Sequence, residues 1–267
     1  MSPILTRMIG AGSAGSGFGF GRRRGGGAAG LSPAPDAYGS NLVLAMPFNG
    51  NYTDYAYVYN SGATPSTRTW TSTIGSGGIV QFQSSTYKFY NNAHRIYNGT
   101  GGAFASTTDF TYTNFYFTGD FTIEAWLYID NGASDVSFIG ASTGASLPNP
   151  SMQSAAGVRG VGSGLTGAMQ LSVDNPYRGG NWTYGVWAHY AAGRTGSTLY
   201  YFKDGVSTGT ASFGTGTIGN TGAATLVLGG TNTYVPNMNI YLNDLRVYKG
   251  INKYTSNFTP PTQMLLS

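Results

Sequence analysis

The chain has 267 residues, a length that an all-β sandwich often fills as one unit. It contains 42 glycines, 20 tyrosines and 14 phenylalanines but only 9% charged residues, whereas soluble domains usually carry about a quarter. This composition predicts short strands joined by tight turns. The absence of cysteine excludes disulfides and thiolate chemistry. No run of about 18 apolar residues occurs, so we expect no transmembrane helix and no membrane partner.

The basic residues are unevenly distributed along the chain. Arg7, Arg22, Arg23 and Arg24 lie in the first 30 residues, which hold no acid, so this stretch carries the whole net charge of +4. The other ten Lys and Arg residues balance the ten Asp and Glu residues, which leaves the body neutral. The same stretch holds ten glycines, and ordering glycine costs the most backbone entropy.

Residues 1–40 are therefore predicted to form an extended, Gly/Arg-rich arm and linker, followed by a sandwich at 41–267. The arm is either a disordered tail or a segment that orders against a partner. The second alternative gives a role to its apolar residues, which a linker does not need. In that case the anchoring contacts come from Ile4, Leu5, Phe18, Phe20, Arg22, Arg23 and Arg24.

Short strands separated by turn signals account for most of the body. In the clearest, at 120–129, apolar residues alternate with Thr122, Glu124, Trp126 and Tyr128. Asp204-Gly205 predicts a type I′ hairpin turn, because both central positions of that turn need a positive φ. Further strands are predicted at 41–48, 168–173, 185–193, 199–203, 206–211, 225–228 and 238–248. The pattern predicts an all-β, two-sheet antiparallel sandwich.

Several of these segments resemble, in order, the strands of laminin-G-like jelly-roll domains of the concanavalin A-like lectin/glucanase superfamily. The segment 118–126 (TGDFTIEAW) resembles the central strand, and 42–50 (LVLAMPFNG) resembles the opening strand, which pairs with the closing one. The later strands are matched by 187–191 (WAHYA), 199–205 (LYYFKDG), 226–230 (LVLGG) and 240–248 (IYLNDLRVY). The resemblance implies a concanavalin A-like jelly roll.

The ending at 249–261 (KGINKYTSNFTPP) is similar to versions of this domain in tailed-bacteriophage virion proteins. That resemblance implies a non-enzymatic structural protein of the virion, made in the host cytoplasm without a signal peptide. The arm would bind other virion proteins. The sandwich would be displayed on the particle surface, in several copies or as a homo-oligomer. Its role would be that of a tail-fibre protein, a tail accessory protein or a host-adhesion protein. Two alternatives stay open: a capsid decoration protein, and a carbohydrate-binding module for host surface glycans.

Enzymatic chemistry has little support in the sequence. Hydrolases of this superfamily carry an E-x-D-x-E pattern, and glycoside hydrolysis needs paired carboxylates. Glu124 is the only glutamate, and positions 122 and 126, where the pattern would need acidic residues, hold Thr122 and Trp126. We therefore assign no catalytic residue. The two histidines, His94 and His189, are too few for a metal cluster. We expect no cofactor, and the short arginine run of the arm is weak support for a nucleic-acid partner.

A loop at 174–184 supplies the residue types that bind sugars. Its candidates are Tyr177, Trp182 and Tyr184 for stacking and Asn181 for hydroxyl groups. The alternative, and the commoner role for such rings, is packing of the loop onto the sandwich. For metals, the resemblance suggests Ca²⁺ through Asp174 or Asp244, and each of these could instead make a turn or strand-end hydrogen bond.

Overall fold

The computed structural model describes the following parts of the chain: residues 36–56, 66–99, 102–108, 115–130, 135–142, 157–161, 168–171, 182–212, 214–218, 225–230 and 238–263. These parts form two antiparallel β-sheets packed face to face, which confirms the predicted all-β sandwich. Within them, no helix is long and apolar enough to cross a membrane. Residues 1–35 of the predicted arm and linker lie outside the described residues.

The larger sheet has eight strands in the order β14-β13-β12-β8-β16-β6-β5, and β1 also pairs with β16. Its strands are β1 (Leu42–Met46), β5 (Ile79–Gln83), β6 (Ala93–Tyr97), β8 (Phe121–Ile129), β12 (Trp187–Thr195), β13 (Thr198–Lys203), β14 (Val206–Ser212) and β16 (Asn239–Lys249).

The second sheet has six strands in the order β11-β10-β9-β15-β7-β4. They are β4 (Thr71–Ile74), β7 (Ala103–Thr107), β9 (Asp135–Ser142), β10 (Gly157–Val161), β11 (Ala168–Leu171) and β15 (Thr225–Gly230). A separate two-stranded ribbon pairs β2 (Thr53–Asp54) with β3 (Ser66–Thr67), and a short 3₁₀ turn at Gly39–Asn41 precedes β1.

The core lies between the two sheets, because successive side chains of a strand point to opposite faces. In β8 the apolar residues of the predicted alternation, among them Ile123, Leu127 and Ile129, are at most 1% exposed and face the core. The predicted hairpin turn is confirmed, since φ is 50° at Asp204 and 76° at Gly205.

The outer face of the eight-stranded sheet departs from the simple alternation. Polar or amphipathic side chains of β8 that alternation would expose, Thr122, Glu124 and Trp126, are buried, and Tyr128 is the first to be partly exposed. A second layer must therefore cover most of this face, and it leaves one end open.

Candidate functional site

The open end of the outer face carries a row of residues that lie side by side across five strands. The strand register pairs Trp187 with Tyr128, Tyr128 with Tyr241, Tyr241 with Arg95, and Arg95 with Gln81. We call these five residues the open row. Paired residues of an antiparallel sheet share a face, so all five side chains project from the same surface.

Three aromatic rings form the floor at one end of the open row. The centroid of the Tyr128 ring lies 6.0 Å from that of Trp187 and 5.4 Å from that of Tyr241, the second pair edge to face. Such contacts hold aromatic rings in fixed orientations. Trp187 and Tyr128 are half-buried, so part of each ring reaches solvent, whereas Tyr241 is only 7% exposed.

The polar side chains of Asp130, Asn239 and Arg95 lie beside the rings on the same face of the sheet. The side-chain amide of Asn239 donates to Oδ2 of Asp130 at 2.6 Å, and its Oδ1 accepts from Nε of Arg95 at 3.2 Å. Burial raises the pKa of Tyr241, the Arg95 guanidinium works against this shift, and the Asp130 carboxylate adds to it. The site therefore places a carboxylate, an amide and a guanidinium next to half-exposed rings.

Exposed apolar residues border the open row at two places. Val186 precedes Trp187 and is 50% exposed, and Tyr87 is 42% exposed. Tyr87 lies between Thr86, which is close to the Tyr241 hydroxyl, and Lys88, whose Nζ lies 4.1 Å from the Trp126 ring centroid. These are two of the four large apolar side chains that are exposed in the described parts of the chain.

The rest of the outer face is covered by the segment after β16, residues 250–263, which we call the strap. Its main anchor is Glu124, whose Oε1 accepts from Nζ of Lys253 at 2.7 Å and whose Oε2 accepts from the Tyr254 hydroxyl at 2.8 Å. His189 of β12 brings Nε2 to 3.3 Å from the same Oε2. The Glu124 carboxylate is thus fully buried and surrounded by polar groups.

The charge state of Glu124 follows from these contacts. Burial by itself raises a carboxyl pKa, but the Lys253 ammonium, the adjacent His189 and the charge of Arg246 hold the pKa of Glu124 well below its ordinary value. The carboxylate is ionised and engaged with the strap, so it has a structural role here.

Ring contacts and a backbone bond extend the strap toward the open row. Phe258 stacks on Tyr254 at 3.5 Å and meets His189 edge to face at 5.8 Å. The carbonyl of Pro261 accepts from Nε1 of Trp126 at 3.0 Å. Within the described residues, none of the strap's hydrogen bonds or ring contacts reaches the open row, so the strap borders this site without covering it.

The sugar-binding residues predicted from the 174–184 loop are only partly described. Trp182 is 4% exposed and its ring lies 4.5 Å from that of Tyr190, inside the core. Tyr184 is half-buried and packs against the same core. These positions fit the packing alternative, since a buried indole offers no face to a sugar. Tyr177 and Asn181 lie outside the described residues.

The metal candidates give a similar result. Asp174 lies outside the described residues. Asp244 sits at a bulge of β16 with a φ of 51°, and its carboxylate accepts from the Tyr90 hydroxyl at 2.6 Å and from Arg246 at 3.2 Å. In the described residues, no group of three or more His, Cys, Asp or Glu side chains could hold a metal ion. Asp244 is thus committed to hydrogen bonds that fix the bulge.

Sequence reasoning did not identify the open row as a site. The alternation in β8 places Tyr128 on the face of Glu124 and Trp126, which was the available signal. Trp187 and Tyr241 belong to predicted strands, but their alignment with Tyr128 depends on strand order and register. Neither can be read from a single sequence.

Comparison with protein families finds one match. The model of the concanavalin A-like lectin/glucanases superfamily, Laminin_G_3, matches residues 98–251, which is more than half of the chain. A comparison with curated proteins gives no match.

Solved structures with a similar fold include two botulinum neurotoxin structures and an arabinanase domain. The binding domain of botulinum neurotoxin DC, in complex with SialylT, is 10% identical with a TM-score of 0.51, over 81% of this chain and 50% of that one. A structure of botulinum neurotoxin type C, whose cell entry is dependent upon interaction with two ganglioside molecules, is 12% identical with a TM-score of 0.53, over 80% of this chain and 49% of that one. This chain thus spans about half the length of these neurotoxin chains.

The arabinanase match covers almost all of the other chain. Domain 4 of AbnA, an extracellular arabinanase from Geobacillus stearothermophilus, in complex with arabinotriose, is 16% identical with a TM-score of 0.50, over 79% of this chain and 93% of that domain. At these identities the likeness concerns the fold alone.

Proposed function

Because the chain belongs to the concanavalin A-like lectin/glucanase superfamily, we propose that it is a non-catalytic carbohydrate-binding domain that holds its ligand on the open row. The observation that carries this proposal is the alignment of Trp187, Tyr128 and Tyr241 across three neighbouring strands. The half-exposed rings of Trp187 and Tyr128 provide flat apolar surfaces of the kind on which sugar rings stack, and the buried ring of Tyr241 supports them from the next strand.

The polar groups beside the rings supply the second requirement of a sugar site. Hydroxyl groups need both acceptors and donors, and Asp130, Asn239 and Gln81 provide carboxylate and amide groups at the edge of the rings. The side chains of Asn239 and Asp130 are held by their mutual hydrogen bond, so these two lose little freedom on binding. Two of the similar structures, a neurotoxin binding domain and domain 4 of AbnA, were solved in complexes with SialylT and arabinotriose, in keeping with this proposal.

The non-catalytic part of the proposal rests on Glu124. Both of its carboxylate oxygens receive hydrogen bonds from the strap, and its side chain is fully buried. A general acid or a nucleophile has to reach its substrate. Glu124 cannot do so while Lys253 and Tyr254 cover it.

A glycan array probed with the full-length protein tests the proposed function. We expect selective binding to a subset of glycans, and a loss of affinity of at least tenfold, about 1.4 kcal/mol, in Trp187→Ala. Tyr200→Ala is the matched control, because Tyr200 is a half-buried aromatic residue on the same sheet that pairs with Gly193, away from the open row. Equal binding by the wild type and Trp187→Ala, or no selective binding at all, would contradict the proposal.

The virion location, the anchoring role of the arm and the multi-copy assembly stay predictions of the sequence. They are compatible with a sugar-binding domain, because host adhesion is one of the roles that the phage-like ending implies. Identification of the residues that contact the N-terminal arm in an assembled particle would test them.

A further inference from the structure

Arg95 in the open row is held in a fixed orientation. Its Nε donates to Oδ1 of Asn239 at 3.2 Å, and its guanidinium carbon lies 5.4 Å from the ring centroid of Tyr241 and 5.8 Å from that of Tyr97. Arginine stacks on aromatic faces in this way, and its planar group then loses little freedom when it binds a ligand.

The two terminal nitrogens of Arg95 have no hydrogen-bond partner among the described residues, although the side chain is half-buried. Three other arginines of the sandwich behave differently. Arg68 pairs with Asp54, Arg246 pairs with Asp244, and Arg194 donates to the carbonyls of Gly119 and Gly216. Arg95 therefore presents unused donors on the surface where we place the ligand.

The nearby carboxylate of Asp130 does not form an ion pair with the terminal nitrogens of Arg95. Oδ2 of Asp130 accepts from the Asn239 amide at 2.6 Å, and Oδ1 of the same amide receives Nε of Arg95. The amide can have only this orientation, because a carboxylate only accepts and a guanidinium only donates. Asn239 thus links Asp130 to the Nε side of Arg95 and leaves the other edge free.

We propose that the open row binds an acidic oligosaccharide, with Arg95 holding a ring carboxylate through its two terminal nitrogens. The planar fork of a guanidinium matches the two oxygens of a carboxylate. Trp187 lies three strands from Arg95, roughly 14 Å away at the usual strand spacing, so a ligand that touches both must have several sugar units. This inference rests on the proposed function and specifies its ligand class.

The test compares uronic-acid oligosaccharides with their carboxyl-reduced counterparts. Hexamers from polygalacturonate, alginate and hyaluronan would be titrated into the full-length protein by calorimetry, each beside the same hexamer with its carboxyl groups reduced to alcohols. We expect at least one acidic hexamer to bind at least tenfold more tightly than its reduced form. Because this comparison uses the wild-type protein, it does not depend on the stability of any variant.

Two variants distinguish the contribution of Arg95 to ligand binding from the general attraction of the arginines in the arm. Arg95→Lys keeps the charge but not the fork, and we expect it to lose the preference for the acidic form. Replacement of Arg22, Arg23 and Arg24 by glutamine should keep that preference, because it removes only general attraction to anions. The reverse pattern, loss with the arm variant and retention with Arg95→Lys, would overturn the assignment to Arg95.

The remaining outcomes distinguish the two proposals. Equal affinity for acidic and reduced hexamers would overturn the acidic-ligand inference and leave the proposed sugar-binding function standing. If none of the hexamers bound and the glycan array were also negative, the proposed function itself would fail.

Discussion

The ammonium group of Lys253 lies 2.7 Å from Oε1 of Glu124, and the two residues are 129 positions apart in the chain. The side chain of Glu124 is 0% exposed and that of Lys253 is 7% exposed. The pair therefore ties the strap to the central strand of the eight-stranded sheet.

We expect Lys253→Met to destabilise the protein by about 3–5 kcal/mol, because it leaves the buried Glu124 carboxylate without its cation. The measurement is the free energy of unfolding in urea at pH 7. The double variant Glu124→Gln/Lys253→Met removes both charges and should recover part of the loss. A change below about 1 kcal/mol in the single variant would mean that the pair contributes little.

The strap also depends on a glycine in β12. A Cβ built on Gly193 would lie 2.2 Å from Oδ1 of Asn252 and 2.8 Å from the carbonyl oxygen of Phe121. We expect Gly193→Ala to displace the start of the strap and to cost about 1–3 kcal/mol, the usual range for overpacking.

Limited proteolysis would detect this displacement, with earlier cleavage in 250–263 for Gly193→Ala than for the wild type. Gly119→Ala is the control, since no atom lies within 4 Å of its Cβ position. Similar cleavage of the two variants would show that Gly193 is not needed to seat the strap.

A third prediction concerns acid sensitivity through His94. This side chain is fully buried among Phe48, Tyr52 and Phe82, and burial lowers its pKa to about 3. The unfolded chain binds the proton near pH 6.5, so between pH 6.5 and 3 the unfolded state holds more protons. The stability of the fold is therefore complete above about pH 6.5 and falls as the pH drops, by about 1.4 kcal/mol per unit.

Between pH 7 and pH 5 we expect a loss of about 2 kcal/mol in the free energy of unfolding. Carboxylates change little in this interval, so the loss isolates histidine. His94→Gln, although less stable overall, should lack most of this pH dependence. If it kept the full dependence, the effect would have to come from another group.

The sequence predicted the strands whose signals are local. Alternation located β8, and the Asp204-Gly205 turn fixed the hairpin of β13 and β14. The short β6 (Ala93–Tyr97) and β7 (Ala103–Thr107) were not predicted. Each has one partner that lies far along the chain, since β6 pairs with β16 as well as β5, and β7 pairs with β15 as well as β4.

The candidate site was less accessible to prediction for the same reason. The aromatic loop at 174–184 was predicted as a sugar site because its aromatic and polar residues are close together in sequence. Trp187, Tyr128 and Tyr241 come together only through the register of β12, β8 and β16. The strap was recognised as a motif, but its burial of Glu124 required the three-dimensional arrangement.

The pairing of β1 with β16 also bears on how the protein is made. Leu42 opposes Tyr248, and the side-chain amide of Asn41 donates to the carbonyl of Lys249 across 208 positions of sequence. Leu42, Leu44 and Met46 are fully buried in the finished sheet, yet on the ribosome their partner strand is almost the last part of the domain to emerge. During synthesis β1 therefore stays unpaired until β16 has been made. We expect chains that stop before β16 to aggregate or to need a chaperone, even if their other strands form.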